Sequence, residues 1–450
     1  MKTIFRPLSS VPRLLSLAVC LLFCASATSA QVATHAVRQS VSGIDVVVLK
    51  TGVQDVITIR GSLAAGDSLS PDDNPALADL TSGMLDKGTT SHDKFAISQM
   101  LGDVGANIGF GTNASVLNIN ARCLRQDLPL VIGLISEQLR SPAFSPEEFA
   151  KLKKQQAGNL QHALEDTDFR AGDTFSRAIY PAGHPNRQAP VGELLASIDK
   201  ITLDQVKAFH AKYYGPATLR LVLVGDVDVA AAQSEIAKVF AGWTGGAIPP
   251  RPVKAGSVDA SRDQTVFMPD KTNISVAWGQ TTGLRYNEPD ALALRVGTAV
   301  FGSGFTGRLM ANVRDKEGLT YNIGSYVSAD TFVDGDWRIE ANFAPAMLEK
   351  GIESTKRQLA AWYRDGVTEA ELAQRKTDLA GSYKVGLSTT GGMAGVILNT
   401  LNRDLDLSFI DQYPSRVAAL TKDQVNTAIK KHLDPEKMVL IKAGTVTGAK

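Results

Sequence analysis

The sequence predicts an α+β protein made of two homologous α/β-roll domains, each a mixed antiparallel sheet with helices on one face. Three observations lead to this prediction. An internal repeat runs through most of the chain, a Gly- and Pro-rich stretch separates its copies, and antiparallel-looking strand pairs alternate with amphipathic helices. Such pairing favours α+β over a doubly wound parallel sheet. The 450 residues, 44% hydrophobic and 21% charged, suffice for two ordinary globular domains.

The repeat is clearest at the end of each copy. The string ITLDQVKAFHAKYYGPATLRLVLVGDV begins at Ile201, and LTKDQVNTAIKKHLDPEKMVLIKAGTV begins 219 positions later, at Leu420. Earlier in each copy, the helix start FSPEEF at Phe144 matches VTEAEL at Val367, and both have the pattern of a capping box. Several ordered matches at nearly constant spacing indicate a duplicated unit.

The repeat sets the predicted domain boundaries. The first domain is predicted at residues 31–244 and the second at residues 264–450, each about 200 residues and within the usual domain size. Between them, residues 245–263 read GGAIPPRPVKAGSVDASRD. This stretch is rich in Gly, Pro and small polar residues, so it is predicted to be a linker.

The first 30 residues differ from the rest of the chain. Basic residues precede the apolar run 14–24, and the small residues ASATSA follow it. This is the pattern of a secretory signal peptide, residues 1–30, cleaved after Ala27 or Ala30. Because the apolar run is too short to span a bilayer, we expect no membrane span after signal removal. The type of signal and the lack of disulfides favour a periplasmic location.

The charge and the cysteine count of the mature chain argue against a nucleic-acid partner and against an internal disulfide. Removal of the signal changes the formal net charge from +1 to −2, because the signal holds three basic residues and no acidic ones. A near-neutral chain without a basic block argues against a nucleic-acid partner. Cys123 alone of the three cysteines remains, so no internal disulfide can form. Strand alternation predicts that this thiol is buried.

The stretch NVRDKEGLTYNIGSYV contains the most informative pair of side chains. Arg314 is predicted in the last turn of a helix that ends at Gly318, and Tyr321 is predicted to open a strand. A guanidinium and a phenol are both hydrogen-bond donors at neutral pH, so together they could stabilise a developing oxyanion. The spacing alone favours a structural interpretation, with a cation at the helix C-terminus and a tyrosine packed in a strand.

Three strings resemble one known family. They are MLDKGT at Met84, YYGPATLRLVLVGDV at Tyr213 and GRLMANVRDKEGLTY at Gly307. With the order of predicted elements, they resemble the pitrilysin and mitochondrial-processing-peptidase superfamily, the inverzincins, over nearly all of the mature chain. The resemblance implies processing-peptidase-like domains and a peptide or unfolded polypeptide as substrate.

The resemblance also implies where a zinc site would be. Catalytic members carry H-x-x-E-H directly before the MLDKGT-like string, where two His bind zinc and the Glu activates water. Here those positions read DLTSG, with Asp79, Ser82 and Gly83 in place of His, Glu and His. The following stretch Lys151–Leu164, where a further Glu ligand would lie, has no acidic residue. We therefore predict no metal or other cofactor in this chain and a zinc ion in a partner chain.

The family also gives Arg314 and Tyr321 a role, because this pair grips substrate carbonyl groups opposite the zinc in active members. By the same resemblance, Gly302 and Gly304 are expected to let a peptide backbone approach, although they could equally be turn glycines. Strand alternation after Tyr321 predicts that the pair's cavity is also lined by Ile323 and Ser325.

Two hypotheses of different classes follow from the resemblance. In the first, the chain is the non-catalytic, substrate-binding subunit of a heterodimeric zinc metallopeptidase. It would then be inactive alone and would act as a metalloendopeptidase only with a homologous H-x-x-E-H subunit. In the second, it is a periplasmic binding, structural or assembly protein of the same fold with no role in proteolysis. Retention of both Arg314 and Tyr321 favours the first hypothesis.

Overall fold

The computed structural model describes residues 32–250, 254 and 261–446, which contain two mixed β-sheets. The predicted signal peptide lies outside these residues, as does part of the predicted linker. The first sheet contains β1 (Val37–Val41), β2 (Ile44–Lys50), β3 (Val56–Leu63), β4 (Asn107–Thr112), β5 (Leu117–Leu124) and β6 (Arg220–Gly225). The second contains β7 (Arg262–Phe267), β8 (Ile274–Thr281), β9 (Asn322–Ser328), β10 (Asp336–Phe343) and β11 (Val439–Gly444).

The two sheets have the same topology. The strand order is β1-β2-β6-β3-β5-β4 in the first sheet and β7-β11-β8-β10-β9 in the second, so they agree strand by strand once β1 is set aside. In each sheet one corresponding pair is parallel, β2 with β6 and β7 with β11. The other pairs are antiparallel. The predicted α+β class with mixed, mainly antiparallel sheets is therefore confirmed.

Helices occupy the connections between strands in both halves. In the first half they are α1 (Val32–His35), α2 (Leu77–Gly83), α3 (Lys94–Asp103), α4 (Leu128–Arg140), α5 (Pro146–Ala163), α6 (Thr167–Ile179), α7 (Val191–Lys200), α8 (Leu203–Tyr213) and α9 (Val229–Val239). In the second half they are α10 (Ala291–Gly302), α11 (Leu348–Asp365), α12 (Glu369–Gly386), α13 (Thr390–Asn402), α14 (Ser408–Ala419) and α15 (Lys422–His432). Within the described ranges, no helix has the length and apolarity needed to cross a bilayer.

Helix caps recur at equivalent places in the repeat. Thr202 and Thr421 each begin a helix with a complete capping box, in which a Gln three residues later bonds back to the cap. Thr368 forms the same arrangement with Glu371 at the start of α12. These reciprocal bonds satisfy amide groups that a helix N-terminus otherwise leaves unpaired, so the sequence sets these boundaries locally.

Each sheet is apolar on both faces. In the first sheet, Val46 and Val48 of β2 belong to the core beneath helices of the same half, and Cys123 of β5 is buried in that core. The alternate residues Val47 and Leu49 point to the opposite face and belong to a different apolar cluster. A strand whose consecutive residues are all buried needs partners on both sides of its sheet.

The second face of each sheet is covered by a helix from the other half of the chain. Helix α13 packs on β3 and β6 of the first sheet, and α6 packs on β8 and β11 of the second. These helices occupy equivalent places in the repeat, between α5 and α7 and between α12 and α14. The helices predicted on one face are present, and this reciprocal exchange adds a helix to the opposite face.

Buried polar contacts accompany the exchange. Thr58 of β3 and Thr390 of α13 share a hydrogen bond of 2.8 Å between their hydroxyl groups. On the other sheet, the hydroxyl of Tyr180, just after α6, donates to Asp336 of β10 at 2.9 Å. Such bonds satisfy groups that burial would otherwise leave unpaired, and they fix the register of each crossing helix.

We predict that a truncation in α6 destabilises the second half of the protein. Phe175 is fully buried against the second sheet. Phe175→Ala is expected to cost about 3–5 kcal/mol of unfolding free energy, because it removes a large buried side chain and leaves a cavity. Urea denaturation followed by tryptophan fluorescence measures this loss, because three of the four tryptophans, Trp278, Trp337 and Trp362, are buried in the second half.

Phe95→Ala is the matched control, because this phenylalanine is 73% exposed. It is expected to change the unfolding free energy by no more than about 0.5 kcal/mol. Unchanged tryptophan transitions in Phe175→Ala would contradict the conclusion that α6 stabilises the second sheet.

Candidate functional site

The positions that would bind zinc in catalytic relatives lie on α2, and their polar groups are engaged within the fold. The Asp79 carboxylate accepts a hydrogen bond from the Thr112 hydroxyl at 3.3 Å. The Ser82 hydroxyl donates to the backbone oxygen of Asp79 at 3.0 Å, and Ser82 is buried. Burial raises the pKa of Asp79, partly offset by the hydrogen bond from Thr112.

The third position, Gly83, faces an apolar side chain. A Cβ atom added to Gly83 would lie 3.0 Å from both methyl groups of Leu152, which is buried on α5. That distance is shorter than ordinary van der Waals contact, so a His at this position would force Leu152 to move. The space beside α2 is therefore filled by a leucine from α5.

A second carboxyl group, Asp67, lies in the same buried region, and the sequence analysis did not identify it. Burial, with the nearby Asp79 charge, raises the pKa of Asp67 to about 7, although a hydrogen bond with Thr112 opposes this shift. Asp67 Oδ1 and the Tyr214 hydroxyl are both buried without a hydrogen-bond partner in the described chain. The sequence around Asp67, AAGDSLS, has no motif that would have marked it.

These groups do not amount to a metal site. Across residues 32–250, 254 and 261–446, no three His, Cys, Asp or Glu side chains lie where they could together hold a metal ion. Two carboxyl groups and a tyrosine offer too few ligands for the four-coordinate geometry that zinc prefers. The absence of zinc from this chain stays a prediction that a metal analysis has to test.

The structure brings Arg314 and Tyr321 together. Arg314 lies in a short π-helical segment, Met310–Lys316, where the sequence predicted the last turn of an ordinary helix. Gly318, with φ of +65°, reverses the chain after it. The Arg314 guanidinium carbon then lies 5.1 Å from the centre of the Tyr321 ring, within the range of a cation–π contact.

A third side chain, Phe305, completes this group. The centre of its ring lies 5.2 Å from the guanidinium carbon of Arg314, so the cation contacts two aromatic rings. Phe305 is 71% exposed and Tyr321 is 84% exposed, which is unusual for aromatic side chains. We call Phe305, Arg314 and Tyr321 the aromatic clamp. Sequence analysis missed Phe305, although its place between Gly304 and Gly307 was a usable signal.

The Arg314 charge is not neutralised at short range. Its ion contact in the described chain is with Asp315, at 4.0 Å, and the side chain of Asp315 is more than half exposed. An exposed ion pair at that distance contributes little energy. The Tyr321 hydroxyl has no hydrogen-bond partner within the described ranges. Both donors of the aromatic clamp are thus available to an incoming acceptor.

The predicted cavity-lining role of Ile323 and Ser325 is wrong. Ile323 is 1% exposed within the second core, and Ser325 is 4% exposed with its hydroxyl donating to the Thr298 backbone oxygen at 3.3 Å. The physical reason is that Tyr321 precedes β9, which begins at Asn322, so it does not share the inward face of that strand. The loop turns its ring outward.

Gly302 and Gly304 are required to be glycine for different structural reasons. A Cβ on Gly302 would lie 2.3 Å from the backbone nitrogen of Ser325, so glycine is needed where the end of α10 packs on β9. Gly302 is buried there, which contradicts a direct contact with substrate. Gly304 has φ of +67° and open space around its missing side chain, so it serves the turn that presents Phe305. Contact of Gly304 with a substrate stays a prediction.

Arg308 anchors the loop that carries the aromatic clamp. Its guanidinium forms two hydrogen bonds with the Glu371 carboxylate, at 2.6 and 2.7 Å, and another with the Gly366 backbone oxygen. Burial opposes the charge of Glu371, yet hydrogen bonds from Arg308 and Thr368 lower its pKa to about 2. This bidentate pair holds the start of the segment that bears Arg314.

We predict that Asp67 makes stability depend on pH. Its folded pKa near 7 lies above the unfolded value near 3.8, so between these values the native state holds a proton that the unfolded chain has lost. The unfolding free energy should therefore fall by at least about 1 kcal/mol as the pH rises from 4 to 7. Asp67→Asn should reduce this fall, leaving the part that comes from the raised pKa of Asp79, as measured by urea denaturation across that range. An unchanged pH profile in the variant would contradict the assignment.

Comparison with known proteins supports the fold and the family resemblance. A family model described as "Peptidase M16 inactive domain" matches residues 200–379. The crystal structure of a peptidase M16 inactive domain from Pseudomonas fluorescens is similar, with a TM-score of 0.85 and 27% identity, over 92% of this chain and 99% of that one.

Two curated relatives each match at least 80% of this chain and at least 80% of their own length. Non-peptidase homolog YmxG of Helicobacter pylori is 24% identical over 383 residues, 84% of this chain and 86% of that protein. An uncharacterized zinc protease of Streptomyces coelicolor is 24% identical over 369 residues, 80% of each chain. Residues 200–379 match the M16 inactive-domain family, and the chain as a whole is similar in sequence and in fold to proteins of the M16, or pitrilysin, superfamily.

Proposed function

We propose that this chain is the non-catalytic, substrate-binding subunit of a heterodimeric zinc metallopeptidase in the periplasm. A homologous partner with H-x-x-E-H would hold the zinc ion and the attacking water. This chain would present Arg314 and Tyr321 to the substrate carbonyl group opposite that zinc. The substrate would be a peptide or an unfolded polypeptide segment.

One observation carries this proposal: the two donors of the aromatic clamp are held together, exposed and not used by the fold. Attack of water on a peptide bond moves negative charge onto the carbonyl oxygen. A fixed guanidinium and a phenol O–H stabilise that charge when they are aimed at it in advance. The Phe305 ring limits the rotation of Arg314, and this pre-organisation reduces the entropy lost on binding.

The exposure of the aromatic clamp also supports a partner. Rings that are 71% and 84% exposed are rare on a free surface and common where another chain or a ligand will cover them. Tyr and Arg are the residue types enriched at the centres of interfaces. In the proposed complex, the partner's catalytic domain closes over this surface and excludes water from the reacting groups.

The alternative is a binding or structural protein of the same fold without a role in proteolysis. The name of the Helicobacter relative, non-peptidase homolog, suits this alternative for that protein. Such a protein has no need for two exposed donors beside a fixed aromatic ring. The two functions differ in whether cleavage by a complex depends on Arg314.

The first test is co-expression with a homologous H-x-x-E-H chain, with zinc content and peptide cleavage measured for each chain and for the complex. We expect cleavage by the complex to exceed that of either chain alone. Arg314→Ala should lower kcat/KM by about 100-fold or more, because it removes a charged donor to the transition state. Tyr321→Phe should lower it by a smaller factor while leaving complex formation intact.

Arg364→Ala is the matched control, since it removes an exposed cation from the same half without touching the aromatic clamp. Its kcat/KM should equal that of the original complex. The proposal fails if the sister chain is fully active alone, if the chains do not associate, or if Arg314→Ala cleaves normally.

A second prediction concerns the altered zinc positions. Replacing Asp79, Ser82 and Gly83 together by His, Glu and His should not create a zinc site. Helix α5 offers no acidic ligand after Glu148, and Leu152 occupies the space next to position 83. Elemental analysis after dialysis should find well below one zinc per chain, with circular dichroism as the control for folding. Stoichiometric zinc with cleavage by this chain alone would contradict the prediction.

A further inference from the structure

A pocket of about 470 Å³ lies beside the aromatic clamp. Its volume falls within the range of roughly 300–1,000 Å³ that is usual for ligand sites. Tyr321 forms one side, whereas Arg314 contacts the Tyr321 ring without lining the pocket. Tyr321 therefore lies between the Arg314 cation and the pocket. The pocket lining differs from the aromatic clamp in its charge.

The charged group of this pocket comes from the other half of the chain. Asp168 lies in the first turn of α6, the helix that crosses onto the second sheet, and its side chain is exposed. Asn342 Nδ2 donates to Asp168 Oδ1 at 2.7 Å and to Ser275 Oγ at 3.0 Å. The crossing helix thus delivers a carboxylate to a site beside Tyr321, and the bond from Asn342 fixes its position.

The remaining polar atoms of this pair are acceptors. An amide nitrogen has two hydrogens, and Asn342 uses both, so only its Oδ1 is left, and that oxygen can only accept. Asp168 has a second carboxylate oxygen and no ion pair among the described residues. The nearby Lys271 is occupied by Glu165, at 2.7 Å. The pocket therefore presents a negative charge and a neutral acceptor without a cation of its own.

The remaining lining includes the polar residues Asn273, Thr320 and Asn322, and another part of it suits an aliphatic chain. Leu319, Ala344 and Met347 contribute apolar surface, and Met347 is 38% exposed. A long amine places its methylene groups along such surface while its charged end reaches polar groups. An ammonium group has donors and no acceptor, which complements the free oxygens of Asp168 and Asn342.

We propose that this pocket is a subsite for a primary ammonium group carried on an aliphatic stem. Within the proposed function, on which this step rests, that group belongs to the bound peptide, as a lysine side chain or as a free amino terminus. Arg314 then meets a carbonyl oxygen on one side of Tyr321, and Asp168 meets the ammonium on the other. The subsite selects basic peptides.

The test uses the full mature chain and three fluorescent nonapeptides of glycine and alanine. The first has a central lysine and blocked ends, the second has norleucine in its place, and the third has norleucine with a free amino terminus. Fluorescence anisotropy gives each Kd. We expect the lysine peptide, the free-amine peptide or both to bind about tenfold more tightly than blocked norleucine.

Asp168→Asn should reduce this preference to less than about threefold. The substitution keeps an oxygen that can accept from Asn342, and an unchanged melting temperature verifies that α6 stays in place. Glu349→Gln removes an exposed carboxylate from the nearby start of α11 and should leave the preference intact. Which amine peptide binds more tightly distinguishes a lysine side chain from an amino terminus.

Three outcomes overturn the inference: equal Kd values for all three peptides, no binding of any peptide up to about 1 mM, or a preference that survives in Asp168→Asn. If the proposed function alone is wrong, the two sets of measurements give a different result. In that case Arg314→Ala leaves cleavage by the complex unchanged, while the amine preference and its loss in Asp168→Asn persist.

Discussion

The exchange of α6 and α13 between the two halves is the contact on which the rest of this structure depends. Each sheet is apolar on both faces, and each half covers only one of them with its own helices. The other face is buried by the equivalent helix of the opposite half. Because the exchange is reciprocal, each sheet needs the other half, and hydrophobic burial joins two repeats into one unit.

The same exchange composes the candidate site from both halves. Arg314 and Tyr321 come from the segment between α10 and β9, whereas Asp168 arrives on the crossing helix. A bidentate pair between Arg308 and Glu371 holds the loop in place. Side chains supported in this way lose little entropy on binding, which is what the proposed contact with a substrate would require. The Arg314 cation and the Asp168 carboxylate lie on opposite sides of Tyr321, so the two sides of the site differ in charge.

In the first half, the positions that the family resemblance aligns with zinc ligands are occupied by packing and internal hydrogen bonds. Leu152 fills the space next to Gly83, and the hydroxyl of Ser82 bonds to its own helix. Asp67 and Asp79 remain as buried carboxyl groups with raised pKa values. The leucine contact stabilises the packing of α2 on α5 without the cost of a buried charge.

The sequence by itself determined the duplication, the α+β class, the capping of α8, α12 and α15, and the loss of the H-x-x-E-H residue types, because these depend on local pattern and residue chemistry. The resemblance to the family, rather than the spacing alone, predicted that Arg314 and Tyr321 act as a pair. Only the tertiary structure decided that Ile323 and Ser325 face the core, that Phe305 joins the pair, and that Asp168 lies near Tyr321. These contacts join residues far apart in the chain, and they form because the opposite face of each sheet has to be buried. Such contacts leave no periodic signal in the local sequence.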